Sequence, residues 1–162
     1  MKRLLVCVLA GVIVLAGCAS SKKTYSANGA TVTTDTSQDT VTVQSSEGTE
    51  KIGKNVVDAA SLGVPIYAGA TQDEGGFSVS GAKGSAQMTS FTTPDPFEKV
   101  YAFYHSKMPA GSEKMKVGSG DDGSIAEFVI GGEKAGDVQT VVMITPKGKS
   151  TAIVVTKGKD AK

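Results

Sequence analysis

His105 is the only histidine in the 162-residue chain. A general base, a Ser-His-Asp arrangement or a histidine-held metal would therefore have to run through it. It follows Tyr104, four residues after Tyr101 and three before Met108, at the edge of what reads as one apolar helical face. No nucleophile motif accompanies it, so a boundary or surface histidine is the preferred reading. Residues Gly118-Ser119-Gly120-Asp121-Asp122-Gly123 match G-x-G-x-x-G. A dinucleotide site needs that pattern between a parallel strand and a helix. Here strand-like segments lie on both sides, and Asp121 and Asp122 would repel a pyrophosphate. A hairpin turn is the better reading. Asp121-Asp122 and Asp73-Glu74 offer carboxylate oxygens for calcium, but neither pair sits in a loop that supplies the remaining ligands. They read as solvated turns. Paired carboxylates for glycoside hydrolysis are set by spacing in space, yet the chain has no tryptophan on which a sugar could stack. The aromatic set Phe97, Tyr101, Phe103 and Tyr104 could line an apolar groove, but at helical spacing it reads first as core. Phe103 falls off the main stripe and, with His105, marks the candidate contact surface. No catalytic residue, cofactor or metal is expected.

These residues need elements to position them. Asp95-Pro96-Phe97-Glu98 places a capping residue, a proline at the first helical position and a glutamate three residues after the cap. Phe97, Val100, Tyr101, Tyr104 and Met108 then recur at three and four, and Pro109 and Gly111 stop the helix. Strands surround it. Thr31–Thr34 and Thr40–Val43 alternate β-branched residues about a turn at 36–39, with a further short strand over Thr49–Ile52. These strands are thin in large apolar residues and need something to pack on. Residues 55–63 read as a short helical turn ended by Gly63, and Val64-Pro65-Ile66-Tyr67 as a stiff extended segment. Gly75-Gly76 is a break. Phe77–Ser80 and Ser85–Thr93 form a hairpin, followed after the helix by strands at 113–117, 124–130, 137–145 and 150–156. Val138–Thr145 is apolar on both faces, as a central strand would be. Residues 157–162 read as a frayed tail. The expected fold is α+β: an antiparallel sheet of about four to six strands with one main helix on one face, plus a small β-hairpin region at 31–52.

Composition narrows the partners. Tryptophan is absent, and Arg3 is the only arginine. Near-neutral charge gives no electrostatic case for nucleic acid.

The N-terminus sets the address. Met1-Lys2-Arg3 precedes an apolar run from Leu4 to Ala16, too short to cross a hydrocarbon core that needs roughly 20 residues. Basic residues, a short apolar stretch and small residues at its end make a secretory signal. Its ending, Leu15-Ala16-Gly17-Cys18, resembles the lipobox of bacterial lipoproteins. That resemblance implies cleavage after residue 17 and lipid on Cys18, which becomes the first residue of the mature chain. The cleaved chain would carry 145 residues and a net charge of −1. Cys7 leaves with the signal, so a structural disulfide is close to excluded in the mature chain, and acylated Cys18 has no thiol chemistry. Residues 18–30 read as a lipidated tether holding a domain over 31–156 off the bilayer. Ala19 and Ser20 lack the aspartate associated with inner-membrane retention, which in a Gram-negative cell implies the periplasmic face of the outer membrane.

Gly63-Val64-Pro65-Ile66-Tyr67-Ala68-Gly69-Ala70, Phe91-Thr92-Thr93-Pro94-Asp95-Pro96 and Val100-Tyr101-Ala102-Phe103-Tyr104 together resemble a family of bacterial lipoproteins that pairs a "vPiYpGA" segment with a "tt-D-p-ekV-aFY" helix. The resemblance covers roughly residues 60–156 and departs at Ala68, where a proline is common. It implies no activity. The expected function is a lipid-anchored, non-enzymatic envelope domain that meets the membrane through Cys18 and binds another envelope protein. The alternative is a carrier or sensor of a small apolar ligand between helix and sheet. An envelope hydrolase ranks last; it would need His105 near a carboxylate and a hydroxyl in a cleft.

Overall fold

Runs of β-branched and polar residues separated by turn residues favour strands over helices, and strands dominate. The computed structural model describes residues 21–118, 123–134 and 136–160. The strands are β1 (Lys22–Ala27), β2 (Ala30–Asp35), β3 (Thr40–Ser45), β4 (Gly48–Gly53), β5 (Thr71–Gly81), β6 (Gly84–Thr93), β7 (Glu113–Val117), β8 (Ile125–Gly131), β9 (Val138–Lys147) and β10 (Ser150–Asp160). A 3-10 turn spans Ala59–Leu62, and the one α-helix among the described residues, α1, spans Phe97–Lys107. All ten strands form one antiparallel sheet in the order β1-β2-β3-β4-β5-β6-β10-β9-β8-β7. The last strand joins two meanders, pairing Ile153 with Phe91 on one side and with Ile144 on the other.

This corrects the expected fold. The protein is a β-rich single sheet of ten strands with one short helix, not an α+β domain of four to six strands. Residues 31–52 are not a separate hairpin region, because β4 continues the sheet by pairing Ile52 with Phe77 of β5. Residues 22–27, read as tether, form the edge strand β1, with Tyr25 opposite Val32. A strand's ladder is built from backbone groups, so a polar segment can close it without apolar side chains. Gly75-Gly76 falls within β5, at an irregularity between Gln72 and Gly76, rather than ending it. Lys157–Asp160, expected to fray, continue β10 opposite Gln87–Gly84.

One face of the sheet is covered over β6, β10, β9 and β8. Directly opposed residues share a face, so the pairings Phe91–Ile153–Ile144–Ala126 and Val155–Val142–Phe128 define a core floor. Phe97, Val100 and Tyr104 of α1 and Met108 just after it pack on it, as do Val57, Leu62 and Tyr67 from the segment before β5. The helical stripe is as expected, and so is the 3-10 turn closed by left-handed Gly63. Its start differs. Pro96 holds the N-cap position without a side-chain cap bond, because Asp95 spends its carboxylate elsewhere.

The Tyr104 hydroxyl is buried among these side chains and makes no hydrogen bond. Burial pushes its pKa up to about 12; the backbone N–H of Tyr67 is near enough to oppose that shift but lies outside hydrogen-bond geometry. An unsatisfied buried hydroxyl costs roughly 1–3 kcal/mol. Tyr104→Phe should therefore leave stability unchanged or raise it by about 1 kcal/mol, read from the urea midpoint. A loss would mean that the hydroxyl holds a buried water.

Candidate functional site

The histidine does find a carboxylate and a hydroxyl. Tyr101 and His105 lie one helical turn apart on α1 and so project to the same side. Register places Glu113 of β7 opposite Phe128, and Lys116 opposite Ala126, both core-face residues. Their side chains therefore point to the α1 side of the sheet. Glu113 Oε2 stands 2.7 Å from His105 Nδ1 and accepts from the Tyr101 hydroxyl at 3.1 Å. Lys116 Nζ sits 3.9 Å from the centre of the Tyr101 ring and 3.2 Å from Glu98. Desolvation first, then the hydrogen bond to Glu113, raises the Tyr101 pKa. The phenol therefore stays protonated and acts as a donor.

That geometry is open to solvent. The His105 side chain is 62 % exposed. The hydroxyl of neighbouring Ser106 donates to the Phe103 carbonyl rather than towards the imidazole. The cluster can bridge α1 to the end of the sheet, and the rings of Tyr101 and Phe128, 6.1 Å apart, extend that brace into the core. Phe103 is half-buried rather than open, edge-on to Tyr67 at 5.2 Å and to Tyr104 at 5.1 Å. Of the candidate contact pair, His105 is the more exposed.

A second polar cluster escaped sequence reasoning. The Tyr67 hydroxyl donates to Asp95 Oδ2 at 2.7 Å, and Lys99 Nζ reaches Asp95 Oδ1 at 3.0 Å. Thr151 Oγ1 of β10 donates to the Asp95 carbonyl at 2.7 Å. Asp95 thus ties the segment before β5, the start of α1 and the last strand together. The hydrogen bonds from Tyr67 and then Lys99 hold its carboxyl below the ordinary value of 3.8. A carboxyl depressed in the fold stabilises it above the unfolded value and ceases to do so as pH falls through the folded one. Stability should therefore fall below about pH 4, and Asp95→Asn should flatten that part of the acid limb in urea titrations at successive pH values.

Among the described residues no group of three His, Cys, Asp or Glu could hold a metal ion. Asp73 accepts from Ser90 and Thr92 across the β5–β6 pair, and Glu74 pairs with Lys54, so that acidic pair is used within the sheet. Asp121 and Asp122 lie outside the described residues, as do Cys18 and the signal segment. The glycine-rich stretch that holds the two aspartates joins antiparallel β7 to β8. A groove of about 390 Å³ lies at the Gly48 end of β3–β6, lined by Val43, Glu50, Val79 and Ala86. No histidine or cysteine is among its lining residues.

The fold and these clusters define an open antiparallel sheet in which one face of the β6–β10–β9–β8 half is covered by the helix and the segment before β5, its polar clusters acting as braces between elements. No protein-family model matches the chain, and no curated protein does either.

Proposed function

We propose that the protein is a bacterial envelope lipoprotein, acylated on Cys18 and cleaved before it, that acts without catalysis by binding another envelope protein. The carrying observation is the lipobox-like Leu15-Ala16-Gly17-Cys18 at the end of a basic-then-apolar leader. Two or three acyl chains make anchoring effectively permanent, where one chain is marginal. The solvent-open histidine cluster supports a non-catalytic role, since proton transfer and charge stabilisation gain most where water is excluded. The docking surface is the free edge of β7, which lies nine strand spacings, roughly 40 Å, across the sheet from β1. It would take a partner's extended segment through backbone hydrogen bonds. The other expectation, an apolar ligand between helix and sheet, finds no supporting observation, because Phe97, Tyr104, Leu62 and Phe128 fill that space.

The test is incorporation of an alkynyl fatty acid in growing cells, with fractionation of the same cultures. The native chain should carry the label and sediment with membranes. Cys18→Ser should lose the label and remain uncleaved. Label retained on Cys18→Ser would overturn the assignment.

A further inference from the structure

The other face of the sheet carries an apolar patch that nothing among the described residues packs against. Register sets Val41 opposite Ile52, Ile52 opposite Phe77, and Phe77 opposite Met88, one row across β3–β6. Val32 and Tyr25 extend the patch to the edge strand, facing each other two residues along. Tyr25 is 63 % exposed, Ile52 52 % and Met88 44 %. The opposite face of β1–β4 carries hydroxyls instead, with Thr24 bonded to Thr33 and Ser26 to Thr31. Lys23, Thr34 and Glu50 interrupt the apolar side, Glu50 standing opposite Val43 and Val79, and β1–β4 contributes no residue to the buried apolar core. An apolar face without an internal layer marks a contact with something else.

The chain's own anchor says what that is. Ser21 is fixed to the sheet, its carbonyl accepting from Thr36 N at 2.8 Å and from Thr36 Oγ1 at 3.1 Å. Only Ala19 and Ser20 separate it from Cys18. Three Cα–Cα steps reach about 11 Å, so an acylated Cys18 leaves the sheet no freedom to stand away from the bilayer. From β1, Ile52 is three strand spacings distant, about 14 Å. We infer that this face of β1–β6 lies on the lipid surface into which the Cys18 acyl chains insert. Tyr25 and Lys23 share that face at the anchored edge and suit the headgroup layer, an aromatic ring with a polar tip and a cation on a flexible stem. The inference rests on the acylation proposed above and adds an orientation to it.

The mature chain would have no free thiol, so single cysteines can report position. The acylated full chain carrying Ile52→Cys, Met88→Cys or Lys51→Cys is labelled with nitrobenzoxadiazole and placed in phosphatidylethanolamine–phosphatidylglycerol vesicles with doxyl-labelled lipid. Lys51 is the neighbour of Ile52 on the opposite face. Emission from positions 52 and 88 should shift to the blue and be largely lost to the doxyl lipid, while position 51 keeps its aqueous emission. Equal, unquenched emission from 51 and 52 would overturn the inference. So would a disulfide-linked dimer of Ile52→Cys without lipid quenching, which would assign the face to a second copy. The mass of the N-terminal peptide is read on the same sample. Absence of acyl chains there overturns the anchoring, whereas acylation with unquenched labels overturns only the orientation.

Discussion

Gly81→Val should detach β1–β4 from the rest of the sheet. Gly81 lies opposite Gly48 at the end of the β4–β5 pairing, where the two backbones approach closely. A Cβ on Gly81 would stand 2.1 Å from the Glu47 carbonyl oxygen, and one on Gly48 would stand 2.2 Å from that of Ser80. Both obstacles are main chain, so no side-chain rotation relieves them. Gly48 also has φ +148°, which L side chains rarely adopt. Forcing β4 outward weakens the pairs Glu50–Val79 and Ile52–Phe77 that continue the seam. The strands beyond have little of their own to resist with, since Asp35 is their only buried residue. A meander without a covered face is marginal. The local loss should be about 3 kcal/mol or more, at the severe end for one substitution. Hydrogen exchange should show amides of residues 22–53 losing protection while β8–β10 keep theirs. Gly75→Ala is the control, because its Cβ meets nothing within 4 Å. Uniform loss of protection across all ten strands would show that the meander and the covered half unfold as one unit.

That seam also explains what sequence reading could and could not reach. Helix α1 was legible because one stripe at three-and-four spacing meets one partner face, and local pattern suffices for that. The hairpin of β2 with β3 and the central place of β9 were legible for the same reason. Strand β1 was missed although Asn28-Gly29 follows it, both with positive φ, the two-residue turn that right-handed strand twist favours. Its polar composition hid it. Joining β4 to β5 across residues 54–70, and inserting β10 between β6 and β9, are long-range choices that no local period encodes. The role of Asp95 was obscured by its position. The pattern Asp-Pro-x-Glu is a strong capping signal, but Tyr67, 28 residues earlier, competes for the same carboxylate. The apolar patch needed the register of six strands before its members could be seen to adjoin. Its residues are scattered over 64 positions, from Tyr25 to Met88.

The covered face and the open face make opposite demands on the same kind of side chain, and this yields the largest global effect. Phe128 is 1 % exposed, with its ring 6.1 Å from Tyr101 and 6.2 Å from Tyr104, between the sheet and α1. Phe128→Ala removes a whole ring where Ala126, Val142 and the helix are held by the strands around them, so the space cannot collapse. The expected cost is about 3–5 kcal/mol, transfer and cavity together. It should appear as a lower urea midpoint with an unchanged slope. The helix should suffer with it, since Glu113 and Lys116, which brace Tyr101 and His105, stand on the strand paired to Phe128. Met88→Ala on the open face removes a side chain of similar hydrophobicity that is 44 % exposed and has no layer above it. Its cost in the unanchored protein should stay within about 0.5 kcal/mol. The contrast separates a residue kept for folding from one kept for contact. Should Met88→Ala destabilise the chain as much as Phe128→Ala, the open face would have to be part of a folded core, and the bilayer would lose its place there.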